Sequence, residues 1–115
     1  IDVTSNIRER KIIMIYNNCQ MTIVYFDGEC ADEGMVCTVK LDKSNILVEY
    51  EDETDNSSKI LVQYVGKSRS EGHYELSCPE QGGRATLHCF KDAKVLEGFW
   101  VEDGYRGMWR IFLKE

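Results

Sequence analysis

Short apolar runs recur about every ten residues along the chain, and most are closed by Gly, Asp, Asn or Ser. Within the runs the pattern alternates. Ile46, Val48 and Tyr50 fall on one face while Glu49 and Glu51 fall on the other. Tyr74, Leu76 and Cys78 oppose His73, Glu75 and Ser77, and Ala85, Leu87 and Cys89 oppose Arg84, Thr86 and His88. A period of two is the signature of strands with one face buried and one face wet, as in an antiparallel sheet. The spacing predicts strands over 10–17, 20–27, 34–41, 45–52, 58–66, 72–78, 83–90, 95–102 and 106–114. Helical spacing is scarce. Thr4-Ser5-Asn6 before Ile7-Arg8-Glu9 offers N-caps for one short helical turn within 4–16.

The connections are all short enough for hairpins, so the order of strands reads as a meander. Asp27-Gly28, Asp42-Lys43-Ser44-Asn45, Gln81-Gly82-Gly83 and Asp103-Gly104 supply the reversals, where Gly tolerates positive φ. With 115 residues the chain is one domain, 1–115. Eight or nine twisted strands in sequence close on themselves and so remove exposed edges. The expected fold is all-β: a compact antiparallel up-and-down barrel of about eight strands, lipocalin-like in layout. A sandwich is the alternative.

Charge bears on partners. Lys plus Arg is 14 and Asp plus Glu is 20, for a net charge of −6. So acidic a chain is poorly suited to sequence-independent DNA or RNA binding, which rests on many phosphate contacts. The acid is unevenly spread: residues 1–57 hold 12 acids against 5 bases, residues 58–115 hold 8 against 9. An anionic ligand therefore fits the second half better.

The 5 cysteines, Cys19, Cys30, Cys37, Cys78 and Cys89, are odd in number and contain no C-x-x-C pair. That pattern points to free thiols in a reducing compartment rather than to a disulfide framework. His73 and His88 with Cys78 and Cys89 match no common zinc spacing. The run Glu49 to Asp55 lacks the order of a calcium loop and reads as a solvated hairpin tip. No catalytic motif, metal site or cofactor box is expected. His88 and Cys89 are neighbours on a strand and point to opposite faces, and His73 with Glu75 reads as part of an outward polar stripe.

The carboxy end, Leu96 to Leu113, carries both tryptophans, three glycines and two arginines. Glycines let such a hairpin bend sharply, and tryptophans plug or line a barrel interior. Two readings stay open for Trp100 and Trp109: core plugs, or faces on which a planar ligand stacks. Arg84, Arg106 and Arg110 lie on strands beside aromatic residues. They are candidates for anion contacts, or else cover apolar surface as arginines commonly do.

The segments Gly-His-Tyr-Glu-Leu (72–76), Gly-Arg-Ala-Thr-Leu-His (83–88) and Leu-Glu-Gly-Phe-Trp-Val-Glu-Asp-Gly-Tyr-Arg-Gly-Met-Trp-Arg-Ile (96–111) resemble a known family in layout. It is the β-barrel domain of the SMODS-associated two-transmembrane, β-strand-rich effectors of bacterial cyclic-oligonucleotide anti-phage signalling (CBASS), and the likeness spans residues 11–114. The resemblance implies a barrel that binds a cyclic dinucleotide second messenger made by a partner nucleotidyltransferase. Binding would promote self-association in the bacterial inner membrane and disrupt it, with this domain on the cytoplasmic side. The family's two membrane helices are not present in this sequence, and the start at Ile1 fits an excised domain. On this expectation Tyr50, Tyr64, Tyr74, Trp100 and Trp109 stack on or line the ligand, and Arg84, Arg106 and Arg110 meet its phosphates. A small barrel is filled by its own side chains or holds one small ligand, so a cyclic dinucleotide is expected at an open mouth or between strands rather than fully inside. The alternatives are a lipocalin-like carrier of a small apolar ligand and a small enzyme using His73 or His88.

Overall fold

A computed structural model describes residues 13–53 and 56–115. Eight strands form a closed antiparallel barrel in which each pairs with its neighbours in sequence and β1 pairs with β8. They are β1 Met14–Tyr25, β2 Cys30–Leu41, β3 Asn45–Glu53, β4 Lys59–Ser70, β5 His73–Cys78, β6 Gly83–His88, β7 Val95–Glu102 and β8 Tyr105–Phe112. The meander barrel expected from the alternation is thus the fold, and the sandwich is not. One 3₁₀ turn, Pro79–Gln81, joins β5 to β6 and ends on left-handed Gly82 (φ 62°). Among the described residues no helix is long and apolar enough to cross a membrane.

The first two predicted strands are in fact one. Asn17-Asn18 has turn chemistry, but in β1 it forms a bulge, marked by a register shift between Tyr16 and Cys19 against β2. A bulge adds one residue and re-aims the strand. It lets Tyr16 and Cys19, three apart, both face inward, where Tyr16 is 6% and Cys19 0% exposed. The Asn18 amide donates to Lys114 O (3.0 Å) and its side chain to Glu115 O (2.7 Å), so the bend is tied to the chain's last residues. The helical turn suggested near Thr4 and the first residues of the 10–17 strand lie outside the described residues; Met14 onward is strand.

Alternation sets what lies inside. Tyr64, Met21, Leu87, Leu96, Ile111, Val39 and Val48 fill the middle of the barrel, each less than 2% exposed. Two glycines there allow the tight coiling. A Cβ at Gly98 would overlap the Thr86 carbonyl of β6, and one at Gly107 the Val24 carbonyl of β1. Backbones that close need glycine in the strand between or beside them. The β7–β8 reversal places both Asp103 (φ 46°) and Gly104 (φ 87°) in the left-handed region. Such a two-residue turn matches the twist of a hairpin.

Candidate functional site

One end of the barrel stays open. Its rim is made by the β1–β2, β3–β4, β5–β6 and β7–β8 connections, and a cavity of about 130 Å³ lies inside it. Ile23 and Tyr25 of β1, Met35 of β2, Tyr50 of β3, Tyr64 of β4, Trp100 of β7 and Trp109 of β8 form its walls and floor. Ala31, Asp32, Asp52 and Glu102 complete the lining, which contains no Lys, Arg or His.

The two tryptophans owe their positions to glycine. Trp100 stands opposite Gly107 and Trp109 opposite Gly98 in the β7–β8 register. An aromatic residue opposite a glycine is a pairing that stabilises glycine within a sheet. The Trp109 indole N–H reaches past Gly98 to donate to Thr86 O of β6 (3.0 Å). The Trp100 indole N–H donates to Met108 O (3.2 Å). Both rings are therefore fixed at the polar end as well as packed. Edge-to-face contacts lock the rest: Tyr64 with Trp109 (ring centroids 5.3 Å apart) and Tyr25 with Trp100 (5.8 Å). The two sequence readings of the tryptophans coincide, because Trp109 (3% exposed) and Trp100 (9%) belong to the core while also lining the cavity.

The polar heart of the mouth is a short hydrogen bond from the Tyr64 hydroxyl to Glu102 Oε2 (2.6 Å). The Tyr64 ring crosses the barrel to reach it because Gly83 leaves room, where any Cβ would overlap the hydroxyl. Burial, then the bond to Glu102, push the Tyr64 phenol well above its ordinary value. Burial, then the charges of Glu102 and Asp52, do the same to Tyr50. Asp32 is raised as well, first by burial and then by Asp52. All three shifts have one cause in common: a partly dry pocket already carrying negative charge resists more of it.

The sequence-predicted residues are thus divided. Tyr50, Tyr64, Trp100 and Trp109 converge on the mouth. Tyr74 faces inward too, but at the opposite end, where its hydroxyl donates to Asp42 O (3.3 Å) of the β2–β3 turn. The arginines stand on the outer wall, not in the cavity. Arg84 and Arg106 both oppose Val101, one on each side of it. The Arg106 guanidinium lies over the Phe26 ring at 5.0 Å. Arg110 is spent on Glu97, with its Nη2 3.0 Å from Oε1. Strand parity, not position in the sequence, decides which side of a wall a residue faces.

What sequence reasoning missed is the carboxylate set. Glu102 shares parity with Trp100 and Asp52 with Tyr50, so counting by twos past the last apolar residue would have placed both on the inner face. Other candidates separate. Cys78 is buried inside while His73 and His88 are exposed outside, so they share no zinc site. His73 meets His88 rather than Glu75, whose Oε2 accepts from Arg69 Nε (2.8 Å). In the acidic run Glu49 accepts from Gln63 and Glu51 pairs with Lys59, as a solvated hairpin would. Among the described residues no group of three or more His, Cys, Asp and Glu is placed to hold a metal ion.

No family model matches the chain, and no curated protein or solved structure matches it.

Proposed function

We propose that the barrel is a binding module, not an enzyme, and that it senses a cyclic dinucleotide by taking one base of it into the mouth. The supporting observation is the mouth itself: fixed aromatic walls around carboxylate acceptors. A cavity of about 130 Å³ takes one planar ring system, not a whole dinucleotide, which needs a pocket within the usual range of roughly 300–1,000 Å³. Base-on-aromatic stacking contributes about 1–3 kcal/mol per base. Carboxylates accept from the ring N–H and amino groups of a purine or from the cytosine amino group. Phosphates are repelled by the same carboxylates and stay at the rim, on the side where Arg84 and Arg106 flank Val101.

In this proposal the domain works within the setting that the family resemblance suggests, a membrane-associated bacterial anti-phage effector. Ligand binding favours a self-associating state, and the assembly disrupts the inner membrane through segments outside this sequence. Such a switch requires the ligand to bind the associating state more tightly than the other. A carrier of apolar ligands finds less support, since the middle of the barrel is filled and its open end is ringed by three carboxylates.

Isothermal calorimetry of the chain against a panel of cyclic dinucleotides tests this. The expected result is binding to at least one, weakened about ten-fold or more by Trp100→Leu, as the loss of a stacked base predicts. Silence across the panel at high micromolar ligand overturns it.

A further inference from the structure

On the outer wall, away from the mouth, two histidines meet. His73 of β5 and His88 of β6 are partners in the antiparallel register. Both are exposed, and their rings stand edge to face with centroids 4.7 Å apart. Their Nδ1 atoms are 2.6 Å apart. At that distance one Nδ1–H donates to the in-plane lone pair of the other Nδ1, so the two ring nitrogens are aimed at the space between them. A groove of about 400 Å³ opens beside them, lined by Glu71, Phe90 and Val95 among others.

We propose that His73 and His88 form a bidentate site for a divalent first-row transition-metal ion, which takes the place of the proton they share. The geometry needs little change. With metal–nitrogen bonds of about 2.0–2.1 Å, two cis imidazoles place their donor atoms roughly 2.9 Å apart, and a tetrahedral pair somewhat further. Opening from 2.6 Å is within reach of small side-chain rotations on two exposed residues. The strands set the spacing, so the chelate is formed in advance by the β5–β6 ladder. The proton balance is simple: the shared proton leaves, or moves to the Nε2 of the ring that held it, and each Nδ1 then donates its lone pair to the metal.

Donor type decides the class of ion. Neutral imidazole suits zinc, copper and nickel, and does not suit magnesium or calcium. Glu97 stands next to His88 in the β6–β7 register, but its carboxylate is held by Arg110. The two imidazoles are the donor pair brought together, and water or a ligand takes the remaining positions in a groove that Glu71 and Cys89 also line. The bound ion would tie β5 to β6 and stabilise the folded barrel by mass action.

Nickel is the suitable probe, because copper(II) oxidises thiols and this chain has 5 cysteines. Untagged protein is titrated with Ni²⁺ by calorimetry, and the same samples are followed by thermal unfolding. The expected result is one Ni²⁺ per chain with a rise in Tm, about ten-fold or greater loss of affinity in His73→Gln and in His88→Gln alike, and no response to Mg²⁺. Three results overturn the site: no Ni²⁺ binding by the wild type, less than ten-fold loss in either single variant, or undiminished binding in the double variant. The last would put the ion on the cysteines.

Discussion

At mid-height the barrel is solid. Met21, Val39, Val48, Leu87, Leu96 and Ile111 interlock there with no polar side chain among them. Toward the open end the inward positions pass to Tyr50, Asp52 and Glu102, with the Tyr64 hydroxyl reaching among them, and the interior becomes an open, acidic recess. The backbone alternates identically through both regions. The difference lies in which side chains occupy the inward positions, and it assigns stability to the middle and recognition to the mouth. An apolar inward residue loses contacts with packed neighbours on every side when shortened, whereas a mouth residue loses contacts that water or a ligand replaces.

The largest effect should come from cavities in the two regions. Leu96, 0% exposed, touches packed core, so Leu96→Ala should cost about 2–5 kcal/mol. Met35 is half-buried and borders the open recess. Met35→Ala should cost about 1 kcal/mol or less, in proportion to the smaller area it removes from water. Urea unfolding of the two variants measures both. Equal losses would mean that the mouth is packed as firmly as the middle, and the division between the two regions would fall.

Strand alternation made most of this architecture legible, and it did so unequally. Parity told inside from outside for Tyr50, Tyr64 and Tyr74, and the glycine-rich hairpin suggested the interior for Trp100 and Trp109; all five face inward. It gave no height along the barrel, so Tyr74 was grouped with residues at the opposite end. Parity also predicted Arg84 on the outward face, opposite in sense to Ala85; its candidacy for an anion contact rests instead on the aromatic residues beside its strand. The break expected between strands 10–17 and 20–27 is a bulge, because residues that favour turns also favour bulges, and only pairing with β2 distinguishes them. Asp32 and Glu102 escaped notice, and Asp52 passed for part of a solvated tip, for a related reason. Acids near strand ends are usually solvated, and their convergence depends on closure of the barrel, a long-range event that no local pattern records.

A smaller effect should come from the polar contact that bridges the two regions. Tyr64 is 1% exposed at its ring, yet its hydroxyl reaches the mouth to donate to Glu102. Tyr64→Phe keeps the packed ring and removes the donor, and should cost about 1–2 kcal/mol near neutral pH, as expected for a bond to a charged acceptor that water partly replaces. The cost should also depend on pH. The Tyr64 phenol is raised above its ordinary 10.0, so its contribution is fully present below pH 10 and is lost as pH rises toward the folded value. The difference between the wild type and Tyr64→Phe should therefore shrink above pH 10. Denaturant midpoints taken from pH 7 to pH 11 check it. A constant difference would place the effect in packing rather than in the hydrogen bond.

The smallest effect belongs to the recess alone. Asp32 is raised from 3.8, chiefly by burial and secondarily by Asp52, so the fold favours its protonated form. That contribution is present below pH 3.8 and is lost as pH rises through the folded value; at pH 7 the ionised Asp32 stands at a net cost. Asp32→Asn should relieve it and stabilise the barrel slightly at pH 7, by less than ~1 kcal/mol because solvent screens an exposed group. The gain should vanish near pH 3, where the wild-type carboxyl is already neutral. The order of causes makes a sharper test. In Asp52→Asn, the Asp32 titration followed by NMR should move down toward 3.8 but stop short of it, because burial, the larger cause, is still in place. A full return to 3.8 would show charge repulsion alone at work in a recess open to water. An unmoved titration would mean that the two carboxylates do not share a pocket, and the mouth would lose the crowding of negative charge that sets it apart from the middle.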